Sequence, residues 1–175
     1  MRRKHQLTYG AALLVGGLAL LVLAIKPNEK TRIEQTVTAM ARLCEARDAA
    51  GLAQHIAADY RGTIGSTRDE ALESTRRAFE DLDALQVRIL HVETDIVGDR
   101  AEAMIVFQTE GSFVLADTKS RLPFKNLTAG TKTIAEMVYT EFAKDGERWL
   151  LTYVTFDART KLTRFPRTVA FLARQ

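Results

Sequence analysis

The chain is 175 residues long, 46% hydrophobic and 27% charged, with three prolines and one cysteine. That is enough chain for one domain, too apolar for a disordered polypeptide and too poor in cysteine for a disulfide-stapled scaffold. The formal net charge of +3 hides a division: residues 27–155 hold 16 of the 25 basic and 21 of the 22 acidic residues, so the main domain is mildly acidic and nucleic acid is not an expected partner.

Leu7 to Ile25 is a run of 19 residues without a charge. As a helix it reaches roughly 28 Å, close to the ~30 Å hydrocarbon core of a bilayer. Leu13, Leu14, Leu18, Leu21, Val22 and Ile25 make it apolar all round, and Tyr9 suits an interface. A single transmembrane helix over residues 7–25 is therefore expected, with the lipid bilayer as its partner. A cleaved signal needs a shorter apolar core and a small-x-small site, and Leu21 to Lys26 offers none. Arg2, Arg3 and Lys4 place residues 1–6 in the cytoplasm. The remainder then lies in the periplasm or outside the cell, held at the inner (cytoplasmic) membrane.

Pro27 marks the exit from that segment. Ile33, Val37, Met40, Ala41 and Cys44 fall on one face of a helix over about 29–46. Cys44 is alone, so no internal disulfide forms, and its phase points it to the core. Asp48 caps a second helix, along which Leu52, Ile56 and Tyr60 recur every four residues until Gly62 and Gly65 stop it. Thr67 and Glu70 form a capping box that opens a third helix, about 67–83.

The period then changes to 2. Residues 85–97 alternate, but Val87 and Ile89 share one parity while Leu90, Val92 and Ile96 share the other. Such a slip is what a β-bulge produces, and a bulge bends the sheet. Residues 101–110 form the next strand, with Ala103, Ile105 and Phe107 on one face. Residues 112–116 are able to extend the sheet, and 117–133 read as a long hairpin connection. Strands at 135–143 and 148–156 follow, joined by the Asp145-Gly146 turn, with Trp149, Leu151 and Tyr153 on one face. Pro166 starts a short terminal helix in the basic segment 157–175. The order predicts an α+β domain, residues 27–156, in which three N-terminal helices pack on a curved antiparallel sheet of four to six strands. A bent sheet facing helices encloses a cone, a natural place for a pocket.

Three stretches resemble the nuclear transport factor 2-like superfamily: Ile56 to Gly62 with its Asp59-Tyr60 pair, the capping box Thr67 to Glu70, and the closing hairpin Asp145 to Leu151. The resemblance covers about residues 30–156 and implies the α+β cone. The superfamily includes isomerases, dehydratases and cyclases, which use a carboxylate and a tyrosine inside the cone as base and oxyanion donor. That makes Asp59 and Tyr60 candidate catalytic residues, although neighbours on a helix point about 100° apart and Tyr60 also fits the apolar stripe. His91, paired with Asp95 if both enter the cone, is a third candidate base; Glu93 shares their parity, and three polar side chains on one face more often mean a solvated face.

His5 and His55 have no partner at metal-ligand spacing, Gly62 to Gly65 is too short for a phosphate loop, and no cofactor or metal is expected. Asn126-Leu127-Thr128 fits a glycosylation acceptor in a eukaryotic secretory setting. Residues 159–167 carry cations fit for anionic head groups or an acidic partner, or pack Phe165, Val169 and Leu172 on the domain. No acid, base and nucleophile stand together. The sequence therefore points to a membrane-anchored, non-enzymatic binding or scaffold module, whose cone or sheet face takes a protein partner or a small apolar ligand. The alternative is an isomerase-, dehydratase- or cyclase-like enzyme with Asp59, Tyr60 or His91 in the cone.

Overall fold

The structure, a computed structural model, describes residues 28–114, 121–125 and 135–174. The expected membrane segment 7–25, the residues before it and Asn126 to Thr128 lie outside the described residues. Among the described residues no helix is long and apolar enough to cross a membrane.

Helix α1 spans Glu29–Glu45 and starts where Asn28 accepts a hydrogen bond from the Thr31 amide at 2.8 Å, which satisfies one of the helix's orphan donors. Its Ile33 and Val37 are buried. Helix α2, Ala49–Ala53, is capped by Asp48 but is shorter than the sequence suggests. Ile56–Gly62 is not its continuation but strand β1, which runs parallel to the last strand, Ile56 beside Leu151 and Gly62 beside Val154. Apolar residues four apart fit a helix, but pairing with a buried strand overrides that local preference. Helix α3, Arg68–Glu80, opens on Thr67, whose hydroxyl accepts the Glu70 amide at 3.3 Å. The Glu70 carboxylate reaches back one residue further than in a standard capping box, to the Ser66 amide at 2.9 Å.

Strands β2 (Leu82–Val97), β3 (Arg100–Val114), β4 (Arg121–Lys125), β5 (Glu136–Asp145) and β6 (Arg148–Thr155) complete a sheet of order β1-β6-β5-β3-β2, with β4 added to β3. The predicted bulge is present. Ile89 faces Phe107 and His91 faces Val106, leaving Leu90 as the extra residue. β4 occupies part of the stretch expected to be a connection, and among the described residues it pairs with β3 alone; its Pro123 is tolerable on such an edge. The sheet is mixed rather than purely antiparallel because β1 is parallel to β6.

β6 carries a further slip that its alternating sequence does not show. Glu141 faces Tyr153 and Phe142 faces Leu151, so Thr152 is extra. Trp149 and Leu151 therefore pack inward, while Tyr153 turns to the other face, with its ring 6.1 Å from Tyr139. β2 ends the sheet, and its Val87 amide donates to the Glu45 carboxylate of α1 at 2.8 Å.

Two cores result. The larger lies between the helices and the concave face of the sheet, around Ile33, Tyr60, Ile105, Phe142 and Trp149. The smaller lies on the opposite face, where Met104 and Tyr139 are covered by Ala158 and Phe165 of the C-terminal segment. That segment forms a 3-10 turn, Arg159–Arg164, and helix α4, Pro166–Leu172, with proline at its first position as expected.

Candidate functional site

A cavity of about 210 Å³ lies between the helices and the concave face. Val37, Met40, Ala41 and Cys44 reach it from successive turns of α1, and Ala71 and Thr75 from α3. The sheet supplies Val87 and Ile89 from before the Leu90 bulge, with Phe107 and Phe142 from inner strands. Ile64 and Phe156 line it too and are 39% and 41% exposed, which places its mouth beside them.

The lining contains few polar groups. Thr75 donates to the Ala71 carbonyl at 2.8 Å and Thr140 to the Ala103 carbonyl at 3.2 Å. Burial pushes the Cys44 thiol up to about 11, so it remains protonated at neutral pH. Among the described residues the lining holds no carboxylate, imidazole or cation. What remains is Tyr60, 1% exposed, whose hydroxyl has no hydrogen-bond partner among the described residues. Burial, and then Tyr153, push that phenol up to about 12, so it is a donor and not a base. It sits over Gly62, where a Cβ would meet the hydroxyl directly. A buried donor left without an acceptor costs free energy.

The other candidates do not join it. On a strand, neighbours point to opposite faces, and Asp59 is exposed while Tyr60 is buried. His91 lies on the outer face, with its ring stacked on Phe171 at 5.0 Å and 8°. Asp95 lines a separate outer cleft with Glu102, Glu141 and Arg164. The Glu93 carboxylate caps α4. The bulge decides this outcome, because it sends Val87 and Ile89 inward before Leu90 and His91 outward after it. His55 lines no part of the cavity. Among the described residues no three His, Cys, Asp or Glu side chains converge as metal ligands.

One inward group escaped the sequence reading. Glu136 shares the parity of Val138, Thr140 and Phe142, is 5% exposed, and accepts from the Thr109 hydroxyl at 3.0 Å. It is two residues from the cavity-lining Val138, about 7 Å along the strand. An acid in phase with inward apolar residues was the available signal.

The concave sheet under α1 and α3 recurs in solved structures of low sequence identity. The fold is nuclear transport factor 2-like. A nuclear transport factor 2-like superfamily protein from Salmonella enterica matches at a TM-score of 0.55 and 11% identity, covering 71% of this chain and 87% of that one. A Novosphingobium aromaticivorans protein named after scytalone dehydratase matches at 0.61 and 13%, covering 72% and 80%. A hexachlorocyclohexane dehydrochlorinase, LinA type 2, matches at 0.56 and 12%, covering 71% and 81%. No family model and no curated protein matches the chain. At these identities the likeness is one of nuclear transport factor 2-like fold, and the chemistry of the cone depends on its own lining.

Proposed function

We propose that this chain is a membrane-tethered, non-enzymatic binding module that holds a small, neutral, apolar ligand in its cone, on the periplasmic or extracellular side. The observation that carries the reading is the apolar lining of the cavity, in which the buried Tyr60 carries a hydroxyl unpartnered among the described residues. A ligand with one acceptor oxygen satisfies that hydroxyl once the ring turns toward it, and a charged ligand finds no counter-charge among the described lining residues. The cavity exceeds the ~150 Å³ that admits benzene elsewhere, so a bicyclic ketone is a fitting size.

The uncharged run from Leu7 to Ile25 supports the tether. Glu29 is bonded to Lys144 and Trp149 at one end of β6, while Phe156 and the mouth lie past its other end, roughly 23 Å away at strand rise. The cone thus opens away from the point where the tether enters, and the ligand arrives from the aqueous side. Recovery of the full-length chain in carbonate-washed membranes is the expected result for the tether, and recovery in the soluble fraction without detergent opposes it.

Tyr60→Phe tests the site. It removes an unsatisfied hydroxyl, so stability is expected to hold or rise by about 1 kcal/mol. Affinity for indanone is expected to fall roughly tenfold while affinity for indane stays the same. Equal losses for both ligands, read by calorimetric titration, count against the donor role. A second reading, an isomerase- or dehydratase-like enzyme, is favoured by the inward Glu136. Recovery of the ligand chemically unaltered after long incubation supports the binding module, and its conversion supports the enzyme.

A further inference from the structure

The C-terminal segment leaves β6 at the cavity mouth, since Phe156 lines the mouth and Asp157 follows it. It then crosses the outer face of the sheet. Phe165, 1% exposed, meets the Tyr139 ring of β5 at 6.2 Å, and Arg164 pairs with Glu102 of β3 at 2.7 Å. The path ends on β2. There the Glu93 carboxylate accepts from the amides of Arg167 and Thr168 at 3.2 and 2.6 Å and from the Thr168 hydroxyl at 2.8 Å. Phe171 stacks on His91. One segment thereby ties together β6, β5, β3 and β2.

Its anchor point matters. His91 directly follows the bulge residue Leu90, and Ile89 just before it lines the cavity. The two faces of one bend therefore serve different purposes: one shapes the chamber and the other holds the segment. A bulge bends a strand, and side chains clamped just beyond it restrain that bend.

We propose that Asp157–Leu172 is a strap that gates the cone. Docked on His91 and Glu93, it holds the bend at Leu90 and keeps the chamber narrow behind its mouth at Ile64 and Phe156. Released, it frees Phe156 at the mouth and lets β2 relax, and the chamber opens. This does not depend on which ligand the cone takes.

The test uses the full chain without ligand. Cys44, the single cysteine, lines the chamber and reports its access through labelling by methyl methanethiosulfonate, a small uncharged reagent. Arg159, Lys161, Arg164 and Arg167 lie in the strap and report its release through tryptic cleavage. Phe171→Ala and Glu93→Ala are each expected to raise both rates about tenfold, as local opening does. Arg32→Gln, which removes the ion pairs of a half-buried arginine with Glu147 and Glu29 and touches no residue of the strap, is expected to leave both at the wild-type rate. Phe171→Leu, a milder change, gives the same two readouts if an alanine variant does not fold. Faster cleavage with unchanged Cys44 labelling overturns the proposal. So do no change in either rate, and labelling that rises equally in Arg32→Gln.

Discussion

Trp149→Ala is expected to lower the stability of the domain by about 3–5 kcal/mol, the range for truncating a large buried aromatic. Trp149 is 1% exposed in the larger core. Its indole nitrogen donates to Glu29 at 2.8 Å, while Lys144 binds the other carboxylate oxygen at 2.9 Å and lies 6.0 Å from the indole ring. Glu29 is the first residue of α1, where a negative charge also complements the helix dipole. The substitution thus removes core volume and one arm of the clasp that fastens α1 to the β5–β6 hairpin. Trp149→Phe keeps most of the volume and is expected to cost less. Denaturant unfolding with an unchanged m-value measures both.

The same clasp sets an acid limb. The hydrogen bond from Lys144, then that from Trp149, hold the Glu29 carboxyl below its ordinary value of 4.5. The folded state therefore binds this proton less readily than the unfolded chain does. The stabilisation is complete above the ordinary value and is lost as pH falls through the lowered one. Glu29→Gln is expected to flatten that loss when unfolding is compared between neutral pH and about pH 3. An unaltered acid limb rules the clasp out as its source.

Gly62→Ala is expected to cost about 1–3 kcal/mol, as overpacking does, and to abolish ligand binding. A Cβ there meets the Tyr60 hydroxyl, its Cζ at 2.8 Å and the Val154 carbonyl at 2.9 Å. The carbonyl belongs to β6 and has little room to retreat, so the Tyr60 ring must shift. Once the hydroxyl is gone, part of the conflict goes with it. Gly62→Ala is therefore expected to cost less in a Tyr60→Phe background than alone, and additive costs contradict the account. Chemical denaturation of the two single variants and the double variant supplies the cycle.

These residues also show what sequence periodicity can and cannot reveal. The Leu90 bulge was readable because its strand is long and alternates on both sides of the slip. The Thr152 slip was not, since Trp149, Leu151 and Tyr153 keep perfect alternation in the sequence and only pairing with β5 inserts the extra residue. β1 was missed for a related reason. Its identity depends on a partner almost a hundred residues away, and Leu52, Ile56 and Tyr60 satisfy a helical period just as well. Tyr60 was singled out, but its unpartnered state depends on which acceptors the fold leaves out of reach. His91 is legible the other way: with Glu93 and Asp95 it makes one polar face of the strand, and the Leu90 bulge turns that face outward.

The bond from the Val87 amide to Glu45 has a consequence for how copies of this protein coexist. β2 is a terminal strand, and bare terminal strands invite another chain to add on rung by rung. With that rung already filled by a carboxylate, an incoming strand must evict a charged side chain before it can register there. Molecules gathered at high local density are thereby discouraged from zipping into fibrils along this border.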